Sequence, residues 1–106
     1  MGVDSVSNTK ARLIFNQRLQ LAEAAFVELV LWSVPKPVSG STHGFKYRLA
    51  YVVGGVCVVR YDNEVGKGDH KHSGGGEVAY LFTGPETLLA DFWNDVARWD
   101  DENRDS

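Results

Sequence analysis

His70-Lys71-His72 is the strongest chemical signal in the chain, a His-x-His pair that closes a polar stretch beginning at Arg60. Alternate side chains of an extended segment share a side, so this spacing turns both imidazoles toward one site. Imidazole titrates near neutral pH. One ring can therefore take a proton from a ribose hydroxyl while a second, protonated, supplies one to a leaving oxygen. Between Arg60 and His72 stand Lys67 and Lys71, the carboxylates Asp62, Glu64 and Asp69, and Asn63. Basic groups there and at Lys46 and Arg48 suit the charge that grows on a phosphate in the transition state. The chemistry these residue types favour is metal-free cleavage of RNA. Its catalytic set is His70, His72, Glu64 and Lys67; its substrate-binding set is Lys46, Arg48, Asn63, His43, Asp62 and Asp69.

The same residues admit other readings. His70, His72, Asp69 and His43 are the ligand types of a zinc or similar divalent site, but no paired cysteines support one and glycines flank the histidines. No metal ion or cofactor is assigned. Gly66-Lys67-Gly68 is a fragment of a phosphate-cradling loop without the full spacing or the Ser or Thr that should follow. The non-catalytic reading is a polar connection whose histidines hydrogen-bond backbone or phosphate. Asp62, set opposite Tyr47, is equally suited to be a structural acceptor. Trp32, Trp93 and Trp99 read as core by spacing, and an exposed one would stack a base or anchor a protein partner.

Positioning these groups requires a sheet. A first strand is expected over 11–21, with Ala22 to Ala25 as a connection that lacks the usual turn residues, so that a short helical turn competes there. Phe26 to Val34 carries branched and aromatic residues on both faces, as in a central strand covered on two sides, and Pro35 and Pro37 end it. Val38 to Gly44 is a loop bearing His43. Gly54-Gly55 joins strands Phe45–Val53 and Val56–Asn63 as a two-residue hairpin. That turn predicts a register opposing Val53 to Val56, Tyr51 to Val58, Leu49 to Arg60 and Tyr47 to Asp62. It gathers Lys46, Arg48, Arg60, Asp62 and Asn63 at one polar edge, beside the loops of His43 and His70. Ser73 to Gly76 reads as a hinge, and Glu77 to Phe82 as a last short strand. Thr83-Gly84-Pro85-Glu86 has capping-box spacing. A helix follows to about Trp99, with Leu88, Leu89, Phe92, Val96 and Trp99 as its apolar stripe and Asp91, Asn94, Asp95 and Arg98 on its surface. The fold class is α+β: a four- or five-stranded, mainly antiparallel sheet with one C-terminal helix packed on a face.

At 106 residues, 43% hydrophobic and 24% charged, the chain has the composition of one globular domain. The expected organisation is a disordered terminus over 1–10, a single domain over 11–99 and an acidic flexible tail over 100–106. No apolar run approaches the roughly 20 residues of a membrane-spanning helix. The first residues lack the basic patch and apolar core of a signal peptide, and the single cysteine, Cys57, sits in a β-branched run. A cytoplasmic protein is expected. The net charge of −3 is carried by the tail, whereas residues 36–72 hold six bases against three acids. A local basic face is therefore compatible with the acidic total.

His43-Gly44-Phe45-Lys46-Tyr47-Arg48, together with the block from Tyr61 to His72, resembles the signature of the TumE family. These are small bacterial and archaeal proteins assigned as toxins of type II toxin–antitoxin pairs. The resemblance runs over about residues 11–99. It implies a cytoplasmic toxin encoded beside a helix-turn-helix antitoxin that binds and silences it. Two positions depart from the family pattern: Ala22 to Ala25 stands where an Asp-Gly turn is frequent, and Phe45 where tyrosine is common. The resemblance assigns no catalytic residues, so the roles above rest on residue chemistry. The expected function is a toxin that cleaves RNA or otherwise blocks translation. The alternatives are a non-enzymatic module that grips a protein or nucleic acid and a metal-dependent hydrolase.

Overall fold

Six strands follow one another across a single antiparallel sheet, each paired with the next: β1 (Arg12–Ala22), β2 (Ala25–Ser33), β3 (Phe45–Val53), β4 (Val56–Glu64), β5 (Gly68–Ser73) and β6 (Gly76–Ala79). The C-terminal helix α1 (Pro85–Asn103) packs on one face. The computed structural model describes residues 10–103. The loose terminus expected over 1–10 thus falls, but for its last residue, outside the described residues.

The sheet has six strands rather than four or five because the glycine run is a hairpin, not a hinge. Gly74 and Gly75 take φ of +68° and +94° between β5 and β6, as Gly54 and Gly55 take +58° and +82° between β3 and β4. Two successive positive φ angles are what this class of two-residue hairpin demands, and glycine reaches them without strain. The stretch carrying His70 and His72 is therefore a paired strand. Between β1 and β2 the turn is Glu23-Ala24, with the Gln20 amide donating to the Ala22 carbonyl at 2.8 Å and the Gly54 amide to the Ala24 carbonyl at 2.8 Å. These bonds replace the helical turn that competed for the segment.

The register predicted from Gly54-Gly55 holds for Val53–Val56 and Val52–Cys57 and then shifts. Val58 is an extra residue in β4, so Tyr51 pairs with Val59, Leu49 with Tyr61, and Arg48 with Asp62. Side chains alternate with a period of two, so one inserted residue sends every later side chain to the other face. Val59 and Tyr61 turn toward the helix, while Arg60 and Asp62 join Arg48 on the opposite, open face. The predicted register divided the edge residues between two faces; the shift brings Lys46, Arg48, Arg60 and Asp62 onto one face and turns Asn63 to the other, where it is buried on the helix side.

The core lies between that layer and α1. Val27, Leu29, Leu31, Tyr47, Leu49, Tyr51, Val59 and Tyr61 are buried against Leu88, Phe92 and Val96. β2 alternates buried and half-buried residues, so it is covered on one side, not two. Phe26, Val30 and Trp32 face outward, with no second layer over them among the described residues. At the start of α1, Gly84 accepts the Leu88 amide at 2.9 Å and Pro85 occupies the first helical position. The capping position is Gly84 rather than Thr83. The helix continues past Trp99 to Asn103, with the Tyr51 hydroxyl donating to Asp100 at 2.6 Å.

Candidate functional site

Across the open face, β3, β4 and β5 align Arg48, Asp62 and His70 in one row, and β4, β5 and β6 align Arg60, His72 and Glu77 in the next. Strands lie about 4.8 Å apart and same-face neighbours along a strand about 6.8 Å apart. His70, His72, Arg60 and Asp62 therefore mark the corners of a patch roughly 5 by 7 Å. Arg60 bridges it, 3.5 Å from Asp62 and 3.5 Å from Glu77. Burial pushes the Asp62 carboxyl above its ordinary value, against the pull of Arg60 and, less strongly, of His70 and Arg48. Two buried side-chain atoms here have no hydrogen-bond partner, His70 Nδ1 and Arg60 Nε. Buried polar atoms are rarely left unpaired, and both of these flank Asp62.

His43 and Asp69 lie on the other side of the sheet. The Phe45 amide donates to His43 Nδ1 at 3.2 Å, which assigns the ring proton to Nε2, and Nε2 meets Asp69 Oδ2 at 2.7 Å. Tyr47 donates to the same oxygen at 2.6 Å and Ser41 to Oδ1 at 2.6 Å. Burial pushes the Asp69 carboxyl up, and the bonds from Ser41, Tyr47 and His43 outweigh it, holding the group below its ordinary value. The His43 ring stacks on Phe82 with centroids 3.8 Å apart. Asn63 ties the edge together, accepting the Tyr47 amide at 3.0 Å and donating to the Phe45 carbonyl at 2.8 Å. Loop 38–44 is thereby clasped onto β5, and Gly40 meets Gly68 so closely that a Cβ on either would lie 2.6–2.7 Å from the other's backbone. A shallow pocket of about 260 Å³ opens beside the clasp, bounded by Thr42, Lys67, Tyr80 and Leu81.

A profile of the family described as toxin TumE matches residues 2–100. The chain belongs to the toxin TumE family. No curated protein and no solved structure matches it significantly. In this TumE-family chain the matched span takes in the whole sheet, both polar clusters and all but the end of α1.

The predicted site residues thus fall into three groups. His70, His72, Asp62, Lys46 and Arg48 share the open face, with Arg60 among them. His43, Asp69 and Asn63 form the clasp on the helix side, with both ring nitrogens of His43 engaged. Glu64 and Lys67 sit at the β4–β5 turn, where Lys67 reaches Glu64 at 3.9 Å and Glu77 at 3.6 Å. The ligand set considered for a divalent ion is divided between two faces, His70 and His72 on one, His43 and Asp69 on the other.

The tyrosines were not legible as site residues, yet all four donate to aspartates: Tyr47 to Asp69, Tyr51 to Asp100, Tyr61 to Asp95 and Tyr80 to Asp91, at 2.5–2.6 Å. Burial and then the aspartate partner push each phenol up, Tyr51 to about 12. Asp95 is buried, not on the helix surface as expected; Arg98 reaches it at 2.9 Å and Lys71 at 3.4 Å. The signal was present in helical phase: Asp95 follows Leu88 by seven positions and Phe92 by three, so it lies on the apolar stripe. Through Lys71 this TumE-family helix holds the one residue between His70 and His72.

Proposed function

We propose that the chain is a toxin that cleaves RNA on the open face of its sheet, without a metal ion. The observation that carries this reading is the strand character of β5, which sets His70 and His72 on one face beside Arg60 and Asp62. One imidazole, neutral, takes the proton of a ribose 2′-hydroxyl as its oxygen attacks phosphorus. The other, protonated, donates to the 5′-oxygen as the P–O bond breaks, leaving a cyclic phosphate and a free hydroxyl. Arg48, Arg60 and Lys46 balance the phosphate charge. Asp62 holds Arg60 at 3.5 Å beside its cross-strand neighbour His70, and Lys67 with Glu64 frames the turn that starts β5. The family description as a toxin supports a cognate antitoxin, and the signature block supports one of helix-turn-helix type. No helix among the described residues is long and apolar enough to cross a membrane, which accords with action in the cytoplasm.

Purified chain, freed of antitoxin, is expected to cleave cellular RNA in the presence of a chelator. His70→Ala is expected to lower that rate about 10²- to 10⁴-fold, the usual worth of a general acid or base. Unchanged cleavage in His70→Ala contradicts the assignment.

The charges on the face favour one further reading. Glu28 lies between Arg18 at 3.7 Å and Arg48 at 3.8 Å, so the basic groups are partly neutralised. That pattern suits a non-enzymatic module that blocks a protein target by binding. Stoichiometric inhibition without cleavage products, tolerant of His70→Gln and His72→Gln, identifies this case.

A further inference from the structure

Trp32 is an aromatic that the core does not use. The buried cluster draws Trp93 and Trp99 against it but not Trp32, which is half-buried on the open face of β2. Its cross-strand neighbours are Lys46 on β3 and Leu13 on β1, the latter 48% exposed. Arg48 stands one row along, opposite Val30. Phe26, another aromatic of that face, is already engaged, with the Arg18 guanidinium 3.7 Å above its ring centroid. No ring stacks on Trp32 among the described residues. A half-buried indole on a sheet face, with Lys46 beside it and Arg48 one row along, combines the two elements that hold single-stranded nucleic acid: a π face for a base and charge for the backbone.

We infer that Trp32 is a base-stacking subsite, taking an unpaired nucleobase of the RNA strand whose phosphodiester lies at His70 and His72. This rests on the RNA-cleaving reading of the open face. From His70 to Trp32 the path crosses three strand spacings and one row, about 16 Å, passing Asp62 and Arg48. That distance lies within the reach of roughly four nucleotides, the shortest sites of single-strand-binding folds. Stacking is tolerant of base identity, because every base has a π face. The subsite therefore fixes the strand's register on the sheet and favours unpaired over duplex RNA, whose bases are already stacked on one another.

The test is equilibrium binding of a short unstructured oligoribonucleotide to the full chain carrying His70→Ala, which removes cleavage and leaves the subsite intact. Adding Trp32→Ala is expected to weaken binding roughly 5- to 150-fold, the worth of one stacked base. The salt dependence stays unchanged, since an indole displaces no counterion, whereas Arg48→Gln lowers the logarithmic salt slope by about one. Trp32→Phe keeps most of the affinity, which separates lost stacking from lost folding. Equal binding with and without Trp32, RNA still being bound and cleaved by the wild-type chain, overturns the subsite and leaves the RNA reading standing. A wild-type chain that binds no oligoribonucleotide, and whose Trp32 is instead covered by a protein partner, overturns the RNA reading itself.

Discussion

Tyr47 and His43 share one acceptor: both meet Asp69 Oδ2, at 2.6 and 2.7 Å. That oxygen joins β3, the loop over 38–44 and β5, so the clasp fixes the start of the strand that carries His70 and His72. Asp69→Ala leaves the buried Tyr47 hydroxyl and the half-buried His43 imidazole without their charged acceptor. With about 1–3 kcal/mol for each donor left unsatisfied, a loss of about 2–6 kcal/mol in urea unfolding is expected.

The same carboxyl gives the acid limb of stability its sign. It is held below its ordinary value, so its contribution is complete above the unfolded carboxylate range and disappears as pH falls through the lower folded value. Wild-type stability should therefore drop on acidification more steeply than that of Asp69→Asn, measured as unfolding free energy against pH. Parallel curves for the two proteins contradict the role assigned to Asp69.

At the alkaline end the tyrosines act in the opposite sense. Their phenols are raised in the folded state, so the stabilisation is whole below about 10, the unfolded value, and is lost as pH rises through the folded values, about 12 for Tyr51. Phenolate absorbance should lag behind that of free tyrosine and then rise together with loss of far-ultraviolet signal. Independent titration of the four phenols near the free value, with the fold intact, is the opposing result.

Gly40→Ala and Gly68→Ala test the loop contact. Each glycine has positive φ, +97° and +78°, and an added Cβ meets backbone at 2.6–2.7 Å. Gly54 also has positive φ, but a Cβ there meets nothing within 4 Å. Melting temperatures should order wild type above Gly54→Ala, and Gly54→Ala above either loop variant, with the strain alone worth about 1–2 kcal/mol.

Much of this architecture was legible because hairpin chemistry is local. Gly54-Gly55 announced its turn, and the stripe of Leu88, Phe92 and Val96 announced the helix. Gly74-Gly75 carried the same signal but was masked by Gly76 and by a preceding strand of polar residues, whose pairing depends on β4 rather than on its own hydrophobicity. The bulge at Val58 was not legible at all. Its neighbours Val56, Cys57 and Val59 are alike in shape and polarity, and only packing against α1 decides which of them face inward. That single residue determined which basic groups share a face with the histidines. Tyr61 and Asp95 were missed for a related reason: each side chain's place depends on a partner 34 positions away.

In the proposed mechanism His70 and His72 act as a pair on one phosphodiester. The most direct measurement is single-turnover cleavage of a defined oligoribonucleotide, with chelator, by the wild type, each His→Ala variant and the double variant. Each single variant is expected to lose about 10²- to 10⁴-fold, with little further loss in the double, because groups that act as a unit are not additive. Cleavage by the double variant at the wild-type rate, or growth arrest that persists without either imidazole, contradicts it.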